Sequence, residues 1–123
     1  MSNKNEFGEY LKTIREKNGY SLRELGRISS ITPYYISYLE NGKKTNPSVD
    51  IMAKLFKALN MSKREIERFL DLYAKANNCV SYDIVDFIME NDDIREYIRS
   101  KRDEPHSSPG WDDFIRKIYN GDS

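Results

Sequence analysis

The sequence predicts an all-helical chain, on three observations. Apolar residues recur at helical spacing from Phe7 to Ile118, and no stretch alternates with period two. Pairs of the form Ser-x-x-Glu, which close the open N–H groups of a helix start, stand at Ser21/Glu24 and Ser62/Glu65. Chain-turning residues fall where the apolar spacing stops, at Gly19, Asn41-Gly42 and Asn77-Asn78.

Helix one is expected near 7–18, where Phe7, Tyr10, Leu11 and Ile14 share a face and Gly19 ends the run. Ser21 and Glu24 open helix two, with Tyr20 placed to staple against Leu25. Thr32 is an N-cap, and Pro33 takes the first helical position, where a missing N–H costs nothing. Ile31 and Ile36 form a second staple, and Asn41-Gly42 stops helix three. Two short helices joined by about four residues make a helix-turn-helix, whose main use is to place its second helix in the DNA major groove. KKTNP, 43–47, reads as a polar loop. Ser48 caps helix four, which carries Met52, Leu55, Phe56 and Leu59 on one side. Met61 can staple on Ile66, and helix five runs near 63–77 with Ile66, Phe69, Leu70 and Tyr73 in register.

Beyond the Asn77-Asn78 break, Ser81 is expected to cap a helix through Glu90 bearing Ile84, Val85, Phe87 and Ile88. Asp92 is expected to cap another, to about residue 102, with Ile94, Tyr97 and Ile98. EPHSSPG, 104–110, reads as a loop, followed by a short helix with Trp111, Phe114, Ile115 and Ile118 on one face.

FGEYLKTIREKNGYSLRELG, ITPYYISYLENGKK and NPSVDIMAKLFKALNMS together resemble the lambda-repressor-like, or XRE, helix-turn-helix regulators over residues 7 to 77. The resemblance implies a five-helix domain in which helices two and three bind DNA. Two positions depart from the family pattern. Leu22 stands where the family often has a Gln that contacts a phosphate or base, and Ser30 stands where the turn often has Gly. A left-handed Ser30 costs about 1 kcal/mol. The tail, VSYDIVDFIMENDDIREYIR followed by WDDFIRKI, resembles C-terminal extensions of some XRE regulators of Gram-positive bacteria and their mobile elements. The expected organisation is therefore a DNA-binding domain at 1–78 and a helical extension at 79–123, whose apolar faces cover either the first five helices or, the favoured reading, the same surface of a second chain.

Net charge is zero, but its distribution is uneven. Residues 1–80 hold 14 Lys and Arg against 9 Asp and Glu, and residues 81–123 hold 6 against 11. A basic front and an acidic back suit a protein that meets phosphate with one face. The single cysteine, Cys79, makes no internal disulfide, which fits a reducing cytoplasm. No apolar run approaches the roughly 20 residues of a membrane span, and the first residues lack a signal-peptide core.

On helix three, Ile36 and Leu39 are spaced to face the core, leaving Pro33, Tyr34, Ser37 and Tyr38 toward the groove, with Tyr35 between the two faces. By motif position Tyr34, Ser37 and Tyr38 match the family's base-reading sites, and Asn41 its phosphate contact. Arg23, Arg27, Thr32, Lys43 and Lys44 are further phosphate candidates. His106 has no neighbour at metal-ligand spacing, and Cys79 reads as a partly buried, inert thiol. Carboxylates at 83, 86, 90, 92 and 93 lack the Gly and closing Glu of a calcium loop and read as a solvated face. With no nucleophile motif or phosphate-cradling loop, the chain reads as a non-enzyme without cofactor or metal. The leading expectation is a sequence-specific regulator of duplex DNA, a homodimeric repressor. The rival is an antitoxin or inhibitor that turns the same surface and its acidic tail toward a partner protein.

Overall fold

A computed structural model describes residues 5–104 and Arg116. Seven α-helices and no strands occupy the described residues: α1 (Glu6–Lys17), α2 (Leu22–Ser29), α3 (Pro33–Glu40), α4 (Val49–Ala58), α5 (Lys63–Asn77), α6 (Tyr82–Glu90) and α7 (Asp92–Arg102). All of the expected 104–110 loop but Glu104, His106 included, and all of the last short helix but Arg116 lie outside the described residues. The chain divides into two compact units, Met1–Asp83 and Ile84–Ser123.

In the first unit α1 packs on α3 and α5, and α2 packs on α3 and α4. Helix starts follow the local chemistry of the sequence. Ser21 and Ser62 each accept from the N–H three residues on, while Glu24 and Glu65 accept the cap residue's own N–H. Those backbone N–H bonds hold both carboxyls below the usual carboxylate range. Thr32 and Ser48 cap α3 and α4 in the same way.

The core gathers one face of each of five helices, and Phe7, Leu11, Leu25, Ile36, Leu39, Met52, Leu55, Phe69 and Tyr73 are almost wholly buried. Phe69 meets Phe7 and Phe56 edge-on at 5.6 and 5.2 Å, which joins α1, α4 and α5 through one aromatic cluster.

Ser81 stands directly before α6, and its hydroxyl donates to the Asp83 carboxylate. Two expectations need correcting. Asp92 is the first residue of α7 rather than its cap. Asn91 holds the cap position, its side chain donates to the Phe87 carbonyl, and Asp92 pairs with Arg95 instead. Cys79 is exposed, not partly buried. Asn78 takes a left-handed turn at φ 52°, the Cys79 N–H closes on the Ala74 carbonyl, and the side chain is left in solvent.

Candidate nucleic-acid interface

The α2–α3 turn sets the angle between the two helices. Ser30 adopts φ 62°, ψ 30°, the left-handed conformation that the turn requires. The buried Ser29 hydroxyl accepts the Ile31 N–H at 3.3 Å and offsets part of that strain. Gly26 permits the crossing: a Cβ there would stand 2.8 Å from both the Ile31 carbonyl oxygen and Pro33 Cγ. Sequence reading named neither Gly26 nor Ser29, although a glycine inside a short helix is itself a signal of close approach.

α3 buries Ile36 and Leu39 and turns the opposite face outward. Tyr34 is 76% exposed, with Ser37 and Tyr38 half-buried beside it on the next turn. The Tyr34 and Tyr38 rings meet edge-on at 6.2 Å. Tyr35 is half-buried against the core and Pro33 is exposed.

The chain after α3 folds back over the same face. Asn41 caps the helix end, and its side-chain oxygen accepts the Lys43 N–H at 3.0 Å. Gly42 takes φ 83°, a conformation that favours glycine. The Lys44 N–H then reaches the Tyr38 carbonyl at 3.1 Å, and the Lys43 ammonium lies over the Tyr38 ring, 5.4 Å from its centre. Lys43, Lys44, Tyr34, Ser37, Tyr38 and Asn41 are therefore brought together. Thr32 and Pro33 sit at the start of the same helix, and Arg23 and Arg27 are exposed along α2. Leu22, at the first position of α2, is half-buried against the core and supplies no polar contact.

An unforeseen element locks this face to the scaffold. The Arg15 guanidinium donates to both carboxylate oxygens of Glu40, from Nε at 2.7 Å and Nη2 at 3.0 Å, and from Nη1 to the Tyr20 carbonyl at 2.7 Å. Both side chains are buried. The pair ties α1 to the last residue of α3 and to the entry of α2, and its hydrogen bonds push the Arg15 pKa up. A signal existed in the sequence: Glu40 ends α3, where the helix dipole disfavours an acid.

Residues 11–66 match the family model described as Helix-turn-helix. That segment covers just under half of the chain. It is similar to the HTH-type transcriptional regulator SinR of Bacillus subtilis (strain 168), with 34% identity over 55 residues, 45% of this chain and 50% of that protein. SinR of Bacillus licheniformis matches to the same extent. SlrR of Bacillus subtilis (strain 168), another HTH-type transcriptional regulator, is 32% identical over 59 residues, 48% of this chain and 39% of its own length. The chain thus spans half or less of the curated relatives it matches. No solved structure matches it. The matched relatives are regulators of transcription rather than enzymes. The similarity lies in the segment that carries the exposed α3 face.

Proposed function

We propose that the protein is a sequence-specific regulator of transcription that binds duplex DNA by laying α3 in the major groove. The observation that carries this reading is the exposed Tyr34–Ser37–Tyr38 face with Lys43 and Lys44 folded beside it. Ser37 can donate to or accept from several base edges, and each tyrosine offers one hydroxyl and a ring that packs on a thymine methyl. None of the three makes bidentate base contacts, so DNA shape supplies part of the discrimination. Arg23, Arg27, Thr32, Asn41, Lys43 and Lys44 hold phosphates, and Pro33 lies against the groove wall. Repression is the mode this reading favours, because occupying an operator blocks it without further machinery.

Titration of a selected operator and of a random duplex tests the reading. Tyr34→Ala and Tyr38→Ala are each expected to weaken operator binding by about 1–3 kcal/mol while sparing most of the affinity for random duplex. Equal losses on both duplexes would remove these residues from base readout. Lys43→Ala and Lys44→Ala are each expected to lower the slope of log K against log salt by about 1, and unchanged slopes would take both lysines off the phosphates.

We assign homodimerisation to the extension at 79–123. One helix-turn-helix covers little DNA, and a pair reaches two half-sites about 34–36 Å apart. α6 and α7 contain no buried residue, and Ile84, Phe87, Met89, Tyr97 and Ile98 are exposed, a large apolar surface that a second copy of the chain would cover. Light scattering is expected to find the full-length chain dimeric at tens of micromolar and a chain ending at Asp83 monomeric, with much weaker operator binding. A monomeric full-length chain or a dimeric truncation would each refute the assignment.

A further inference from the structure

Tyr73 lies in the core, 2% exposed, yet its hydroxyl is fully engaged. It stands 2.6 Å from Asn46 Oδ1 and 3.3 Å from the Tyr82 hydroxyl. An amide oxygen only accepts, so Tyr73 donates its one proton to Asn46, and Tyr82 donates in turn to Tyr73. The two rings are 5.5 Å apart and tilted by 33°. One turn further along α5, Asn77 Nδ2 donates to the Thr45 carbonyl at 2.7 Å and to the Tyr73 carbonyl at 3.0 Å. Burial pushes the Tyr73 pKa up, so the link keeps its proton well above neutral pH.

The segment held in this way is the loop that carries Lys43 and Lys44. From the α3 side it has two bonds, from the Lys43 N–H to Asn41 Oδ1 and from the Lys44 N–H to the Tyr38 carbonyl. From the α5 side it has the two side-chain bonds at Thr45 and Asn46. A cationic loop placed before it meets its ligand loses less conformational freedom on binding, which favours affinity.

We propose that Tyr73, Asn77 and Tyr82 are positioning residues for the 43–46 loop. They fix Lys43 and Lys44 beside α3, and Tyr82 makes that placement sensitive to whatever displaces the chain at residues 81–83. The proposal rests on the DNA-binding reading above for its consequence, but not for its geometry. Tyr73 bonds the loop directly and Tyr82 acts through it, polarising the Tyr73 hydroxyl toward Asn46. Loss of the Tyr73 hydroxyl should therefore have the larger effect.

Full-length Tyr73→Phe and Tyr82→Phe test it, each deleting one oxygen. Two readings are taken: amide hydrogen exchange at Lys43 and Lys44, with Leu11 in α1 as the control, and affinity for a random duplex. Exchange at both lysines is expected to quicken several-fold in Tyr73→Phe and less in Tyr82→Phe, with Leu11 unchanged and duplex affinity falling in the same order. Exchange at wild-type rates in both variants overturns the proposal, as does faster exchange with undiminished duplex affinity. Exchange that quickens in Tyr73→Phe alone removes Tyr82 from it. If the wild-type chain bound no duplex, the DNA reading would fall, and the exchange rates alone would decide whether these side chains hold the loop. Tyr82 is exposed, so its variant remains informative if Tyr73→Phe fails to fold.

Discussion

Glu40→Gln is expected to cost about 3–5 kcal/mol of folding free energy, because it leaves the buried Arg15 guanidinium without its counter-charge. A domain of this size is stable by roughly 5–15 kcal/mol, so one substitution removes a large share. The amide can still accept one hydrogen bond, but it cannot supply the two charge-assisted bonds the carboxylate makes. The double replacement Arg15→Met with Glu40→Leu should recover most of the loss, since desolvating a charge pair costs nearly what the pair returns. Urea unfolding decides it, read as a lower midpoint at unchanged slope. A Glu40→Gln loss under about 1 kcal/mol, or a double variant no better than the single, would mean that the pair is more solvated than its geometry implies.

This ion pair also shows where sequence reading stops. Helix starts and stops are settled by residues within four positions of one another. Ser21 with Glu24, Ser62 with Glu65, Thr32, Ser48 and Asn41-Gly42 were therefore legible, and the first five helices with them. So was the outward face of α3, because burying Ile36 and Leu39 leaves Tyr34, Ser37 and Tyr38 on the other side. Arg15 and Glu40 are 25 residues apart, and Tyr73 and Asn46 are 27 apart. Arg15, Asn46 and Tyr73 are ordinary in their own neighbourhoods, and the misplaced acid at Glu40 names no partner; only the packing of α1 on α3 or of α5 beneath the loop makes the pairs. Asp92 failed as a cap for a local reason: a short polar side chain bonds to the best partner in reach, and Arg95 outcompeted the backbone.

Gly8 is where α1 meets the end of α3, and filling it should be costly. A Cβ at that position would stand 2.2 Å from the Leu39 carbonyl oxygen and 3.0 Å from that of Glu40, with Asn5 Oδ1 at 2.4 Å. Two of these neighbours are backbone, so relief requires the helices to separate rather than a side chain to swing. Overpacking of this kind lies at the upper end of its usual range, about 3 kcal/mol. Alanine recovers about 1 kcal/mol of helix propensity, so Gly8→Ala should lose about 2 kcal/mol net. Valine recovers less and adds two methyl groups, so Gly8→Val should lose about 3 kcal/mol or more. The displacement would fall on Leu39 and Glu40, which directly follow Tyr38 on α3, so operator affinity should drop further than the folded fraction alone explains. Denaturant midpoints for the two variants check the order. If alanine matched or stabilised the wild type, propensity would have won, and the close approach of α1 to the end of α3 would not be what holds α3 in place.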